Sequence, residues 1–132
     1  MPEVEKIDLS HNKIHTIDPL AFNNLSTLMK LNISHNNLTA IGVWLGRLYQ
    51  LRNFDTSHNK LSSIAPNAFR DQIYLKNLLL HNNRLQKINP KDFESLKELS
   101  RLDLSENPLE QFSPQEEQAL EDLLPNHTVI VL

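Results

Sequence analysis

The stretch LKNLLLHNNRLQKINPKDFESL, residues 75–96, decides how the rest of the chain is read. Leucine or isoleucine stands at Leu75, Leu78, Leu80, Leu85, Ile88 and Leu96, with Asn83 and Phe93 among them and polar residues in most gaps. Moved back by 24 residues, the pattern falls on Leu51, Phe54, Thr56, Asn59, Leu61, Ile64 and Phe69. Moved forward, it falls on Leu99, Leu102, Leu104, Asn107, Leu109 and Phe112. Two earlier copies run through Leu28, Leu31, Ile33, Asn36, Leu38 and Ile41, and through Val4, Ile7, Leu9, Asn12, Ile14, Ile17, Phe22 and Leu25. A period of this length marks a solenoid, in which no copy buries its apolar side alone and neighbours stack into one continuous core. The chain is therefore read as a single array over residues 1–132, with repeats at about 4–27, 28–50, 51–74, 75–98 and 99–126 and a partial last strand at 127–132.

Within each copy the first half alternates apolar and polar residues, as at Ile7 and Leu9 or Leu78 and Leu80, which predicts strands stacked in parallel. Asn12, Asn36, Asn59, Asn83 and Asn107 follow where the strand must turn, and a side-chain amide there can both donate to and accept from backbone groups left unpaired by the bend. In the second half, proline recurs at Pro19, Pro66, Pro90 and Pro114, preceded by Asp18, Ala65, Asn89 and Ser113. Three of those four residues cap helices, so a short helix or 3₁₀ turn is expected at each proline. Phe22, Phe69 and Phe93 then point back inward. The second copy departs from this pattern: Leu28 to Leu51 spans 23 residues, Val43 replaces the proline, and both glycines, Gly42 and Gly46, lie there. Leu45 is expected to take the phenylalanine's place, and Trp44 with Tyr49 marks either an interaction spot or a one-residue deletion repacked by large side chains. The fifth copy ends in Ser113-Pro114-Gln115-Glu116, a capping box before a longer helix with Ala119, Leu120, Leu123 and Leu124 on one face, and Val129 to Leu132 returns as a strand.

All five copies fit L-x-x-L-x-L-x-x-N-x-L, with Val4, Phe54 and Thr56 the loosest matches, and the chain thus resembles the leucine-rich repeat family over nearly its whole length. The resemblance implies an α/β solenoid, a horseshoe arc with a parallel β-sheet on its concave face and short helical or 3₁₀ turns on its convex face. It also implies that the recurrent phenylalanine stacks between turns and sets curvature. Copies of 24 residues with phenylalanine and N-x-S/T triplets look like the extracellular type found in Toll-like receptor ectodomains and insect leucine-rich repeat immune proteins. A non-catalytic protein-recognition module of a secreted or cell-surface protein follows, with an innate-immune receptor or adhesion role. Extracellular members usually carry cysteine-rich caps. Here Met1-Pro2-Glu3 leads almost directly into the first copy, the chain stops on Val129-Ile130-Val131-Leu132, and cysteine is absent, so an excised piece is expected. The alternative is an intracellular scaffold for protein–protein interaction, which the missing cysteines and signal peptide would also fit.

About two-fifths of the residues are apolar and the charge is mixed, which excludes a disordered or membrane-spanning chain. Thirteen basic and sixteen acidic side chains give a formal charge of −3, which six protonated histidines would move to +3. No basic run interleaved with aromatics occurs, so nucleic acid is not the expected partner. Asn24, Asn32, Asn37 and Asn126 each begin an N-x-S/T triplet and are the expected glycosylation sites.

Binding candidates come from the outward positions of the strands. One column reads Lys6, Lys30, Asn53, Asn77, Arg101; the next reads Asp8, Asn32, Asp55, Leu79, Asp103; a third reads Ser10, Ser34, Ser57, His81, Ser105. Such a face suits a protein ligand or partner subunit, or a glycan, and equally suits a sheet kept soluble by alternating charge. A glycan on Asn32 would stand on it. Dimerisation through exposed terminal strands is a third reading. His11, His35 and His58, with His81 one place earlier in its copy, form a column without a carboxylate or cysteine to complete a metal shell, so neither a metal nor another cofactor is expected. Asp8, Ser10 and His11 contain the residue types of a hydrolase triad, but the set recurs at Asp55, Ser57 and His58 along an open surface, whereas a nucleophile needs a unique pocket and an oxyanion hole. An enzyme is not expected.

Overall fold

The computed structural model describes residues 3–132; Met1 and Pro2, at the head of the chain, lie outside them. Six short strands form one parallel sheet: β1 (Lys6–Asp8), β2 (Lys30–Asn32), β4 (Asn53–Asp55), β6 (Asn77–Leu79), β7 (Arg101–Asp103) and β8 (Val129–Val131), in the order β1-β2-β4-β6-β7-β8. Register runs straight across, with Lys6 beside Lys30, Asn53, Asn77, Arg101 and Val129 in turn. The 23-residue copy therefore enters the sheet without a slip, because its missing residue is taken from the outer half. Two-residue strands β3 (Ala40–Ile41) and β5 (Ser63–Ile64) pair as a second small sheet.

Each strand is short because only its middle residue, Ile7, Leu31, Phe54, Leu78 or Leu102, points inward between two outward neighbours. Pairing continues one residue further through Leu9 N–H to Asn32 O (2.7 Å), Ile33 N–H to Asp55 O (2.8 Å) and their counterparts in later copies. The inward residues of all copies join one apolar core that also takes in Phe22, Leu45, Phe69 and Phe93. Phe69 and Phe93 stack at 5.6 Å, as expected for side chains repeated once per turn.

The outer half is less uniform than the sequence suggests. A 3₁₀ turn spans Pro90–Phe93, where Asn89 accepts from the Lys91 N–H (3.2 Å), and α1 spans Pro114–Leu123, closed by reciprocal Ser113–Glu116 bonds of 3.1 Å. At Pro19 and Pro66 successive turns form in place of a helix, the first of each closed by Ala21 N–H to Asp18 O (2.9 Å) and Ala68 N–H to Ala65 O (3.1 Å). Asn67 sits at φ 62° directly after Pro66, which stops a helix from propagating, and Pro19, Leu20 and Ala21 are exposed, so no packing holds a helix together there. On α1 the buried side is narrower than expected: Leu120 and Leu124 are buried, while Ala119 is exposed.

In the second copy a 3₁₀ turn over Val43–Leu45 places Leu45 in the core at the phenylalanine position. Trp44 is only 5% exposed and meets the rings of Phe22 (5.9 Å) and Phe54 (6.1 Å) edge-on. A Cβ on Gly42 would come within 3.1 Å of the indole, so glycine there makes room for it. The shortened copy is repacked by tryptophan, which removes Trp44 as an interaction spot, while Tyr49 stays exposed. Among the described residues no helix is long and apolar enough to cross a membrane.

Candidate functional site

Side chains along the sheet divide into those that hold the backbone and those left free. Asn36, Asn59, Asn83 and Asn107 belong to the first group. Asn59 donates to Ile33 O (3.0 Å), Thr56 O (3.1 Å) and Ser57 O (3.2 Å) and accepts from the Leu38 N–H (3.0 Å), so one side chain ties two successive turns. Asn36, Asn83 and Asn107 repeat the arrangement, and Asn12, exposed at the first turn, donates to Leu9 O and Ser10 O of its own copy. The residue before each of the five is left-handed, with φ between 54° and 57° at His11, His35, His58, Asn82 and Glu106.

The acidic column is also committed to structure. Asp8, Asp55 and Asp103 each accept from the N–H and the hydroxyl of the serine two places on, at 2.9–3.0 Å and 2.6 Å, and Asn32 does the same with Ser34. Sequence reading missed this side-chain turn, although its signal, D/N-x-S in four copies, is present. It also bears on the Asp-Ser-His sets: the serine proton is donated to the neighbouring carboxylate, not to a histidine. The Ser10 hydrogen bonds hold the Asp8 carboxyl below its usual value. At Asp103, burial would raise the value, but the Ser105 bonds together with the charges of His81 and Arg101 outweigh it and lower the carboxyl. Asp103 is 8% exposed, so it supports the face more than it offers a free charge.

The fourth copy breaks that column. Leu79 and His81 replace the Asp/Asn-x-Ser pair, so no side-chain turn forms there. The His81 ring instead lies 3.6 Å from the Asp103 carboxylate, which also receives Arg101 at 3.3 Å. Beside this interruption the concave face holds a depression of about 290 Å³ lined by Lys30, Asn53, Asp55, Asn77, Leu79 and Arg101 among others. Asn77 donates to Asn53 (2.6 Å), which leaves the other half of each amide open toward a ligand. Of the sequence candidates, Lys30, Asn53, Asp55, Asn77, Leu79 and Arg101 line this hollow, Asp103 joins it only through its pairing with Arg101 and His81, and Lys6 and Asp8 stand apart on β1. No aromatic ring is exposed among the strand residues, since Phe54 is 1% exposed.

His11, His35 and His58 stack face to face at 4.3 and 4.2 Å, and His81 meets His58 edge-on at 5.3 Å. Burial and then the neighbouring His35 and His81 lower the His58 value below that of a free imidazole. Rings stacked this way aim their lone pairs side by side, not at a common point, and among the described residues no group of three potential ligands could hold a metal ion. Asn24 and Asn126 are exposed; Asn37 is half-buried; Asn32 lies on the concave face between Asp8 and Asp55.

The pattern described as leucine rich repeat matches residues 2–61, 49–109 and 73–124. A leucine-rich repeat protein of Leptospira interrogans is 32% identical with a TM-score of 0.82 over 96% of this chain and 30% of its own. TLR13, solved in complex with the RNA ssRNA13, is 29% identical with a TM-score of 0.74 over 78% of this chain and 15% of its own. This chain thus spans under a third of the length of either. No curated protein matches it.

Proposed function

The chain belongs to the leucine-rich repeat family, and from that premise we propose that it is the recognition segment of a secreted or cell-surface protein, holding a protein partner on its concave face around Leu79. The carrying observation is the interruption at Leu79 and His81. Elsewhere the Asp and Ser columns are occupied with each other; here an apolar side chain is half-exposed beside two amides with free valences, between the cations Lys30 and Arg101. A peptide segment with an apolar side chain next to a carboxylate would meet Leu79 and one of those cations, while Asn53 and Asn77 pair with its backbone. A neutral glycan or an RNA strand would want an exposed ring to stack on, and this face offers only the partly buried imidazole of His81, which is turned to Asp103. The four N-x-S/T triplets and the likeness to TLR13 support the extracellular setting and an innate-immune or adhesion role.

The test is selection of peptides from a displayed random library on the immobilised chain, followed by binding to a Leu79→Glu/Arg101→Ala variant. Selected peptides are expected to carry an apolar residue beside an acidic one, to slow amide exchange in β4, β6 and β7, and to lose the variant. Peptides that bind parent and variant alike would overturn this site.

A further inference from the structure

The solenoid gathers charge that is scattered in the sequence. Eleven of the thirteen basic side chains but only six of the sixteen acidic ones precede residue 92, so the first part of the chain carries +5 and the remainder −8. Part of that positive charge lies on the flank just beyond the strands. There the first four copies present His11-Asn12-Lys13, His35-Asn36-Asn37, His58-Asn59-Lys60 and Asn82-Asn83-Arg84. The backbone rungs that align these triplets continue the sheet: Asn37 N–H to Ile14 O, Lys60 N–H to Leu38 O and Arg84 N–H to Leu61 O, each 2.8 Å. In the second, third and fourth triplets the middle asparagine turns inward as a rung of the ladder, Asn12 stays exposed at the first turn, and the cations and three stacked histidines are exposed.

We propose that this flank, with Lys13, Lys60 and Arg84 beside the His11–His35–His58 row, binds a linear sulfated polysaccharide. Successive turns are about 4.8 Å apart, so the fixed cations line up over roughly 14 Å, a linear array for a linear anion. The four triplets contain no apolar residue, so the flank lacks the apolar centre on which a protein interface is built. It also lacks an extended aromatic platform for unstacked bases, since stacking covers both faces of His35 and one face each of His11 and His58. What remains is charge at regular spacing, which a polyanion satisfies without further complementarity. The carboxylates nearest the row are Asp8, Asp55 and Asp103 on the strands and Glu106 at the equivalent position of the fifth copy; Asp8, Asp55 and Asp103 are already engaged by serine. Protonation of any imidazole in the same row adds positive charge, so binding is expected to be stronger at pH 5.5 than at pH 7.5. Asn37 fills the one rung without a cation, and a glycan attached there would cover the row between Lys13 and Lys60. This inference is independent of the Leu79 site and stands if that site fails.

The experiment uses the unglycosylated full chain and titration calorimetry with a size-defined heparin octasaccharide at two salt concentrations and both pH values. Salt-sensitive binding is expected, weakened about ten-fold or more in Lys13→Gln/Lys60→Gln/Arg84→Gln. A matched variant of the concave face, Lys6→Gln/Lys30→Gln/Arg101→Gln, removes the same charge and is expected to bind like the parent. His11→Asn/His35→Asn/His58→Asn, whose asparagines tolerate the left-handed backbone, should keep binding at pH 7.5 and lose the gain at pH 5.5. All these side chains are exposed, and melting temperatures unchanged at pH 7.5 confirm folding. The proposal is overturned by no binding, by equal loss in the two charge variants, by tighter binding of a nucleic-acid duplex of similar charge, or by salt-reversible self-association through the acidic α1 end in place of heparin binding.

Discussion

Asn59→Ala measures how much of the array's cohesion passes through one side chain. Its amide nitrogen reaches Ile33 O, Thr56 O and Ser57 O, and its oxygen takes the Leu38 N–H. After truncation the carbonyls keep a second donor each: Asn36 for Ile33, Asn83 for Thr56, and the His35 N–H for Ser57. The buried Leu38 N–H keeps no partner, and that orphan costs about 1–3 kcal/mol. With the net loss of the shared bonds, the total comes to about 3 kcal/mol, a large share of the ~5–15 kcal/mol that holds a domain together. In a chain of this size that is roughly a 10 °C fall in melting temperature. Asn12→Ala removes only two bonds, both exposed, and should cost under about 1 kcal/mol. Urea unfolding read by the single tryptophan, Trp44, and by circular dichroism gives both values. If the Asn59 and Asn12 variants lose the same stability, the asparagines do not tie turns together and the reasoning fails.

Trp44→Ala should cost about 3–5 kcal/mol by circular-dichroism melts while Tyr49→Ala costs under about 1 kcal/mol, because only the first leaves a hole in the core. Glu106→Gly should stabilise by about 1 kcal/mol, since Glu106 holds φ 56° at a strain glycine does not feel; a neutral or destabilising result in the same melts would count against it. His58 has its value depressed in the folded chain, so between that value and about 6.5 the unfolded chain binds more protons. Stability from this group is therefore full above about pH 6.5 and lost as pH falls below it. Urea midpoints from pH 8 to 5 should show the fall, and His58→Asn should flatten it. Intact-mass analysis after passage through a secretory pathway, with and without glycosidase, should find carbohydrate among Asn24, Asn32, Asn37 and Asn126; well-folded secreted protein with all four bare would move the weight to the intracellular scaffold.

The sheet was legible because its determinant is periodic. A residue that recurs in every copy, such as Leu31, Phe54, Leu78 and Leu102, is fixed in space by stacking alone, and counting by 24, or by 23 across the shortened second copy, finds the register. The outer half was less legible, because there nothing is imposed by a neighbouring strand. Pro19 and Pro90 share a sequence position, yet Pro19 is exposed in a turn and Pro90 is buried in a 3₁₀ helix whose neighbour α1 packs on it. That packing is a tertiary effect with no local signal. Trp44 was ambiguous for the same reason: its two ring partners, Phe22 and Phe54, lie in other copies.

The basic flank escaped a linear reading for a different physical reason. Lys13, Lys60 and Arg84 are 47 and 24 residues apart, so no window along the chain holds a basic run, and the overall charge of −3 points the other way. Only the solenoid turns that spacing into adjacency. The same geometry decides which polar residues remain available for recognition. Ladder asparagines recur in all five copies and the Asp/Asn-x-Ser pairs in four of them, and their hydrogen bonds are satisfied within the array. Side chains that differ from copy to copy carry no such duty. On the concave face that singles out Leu79 and His81, where the repeat is interrupted, and on the flank it singles out Lys13, Asn37, Lys60 and Arg84, which follow the ladder but take no part in it. In this chain departure from the repeat, more than exposure, separates a candidate contact from a structural residue.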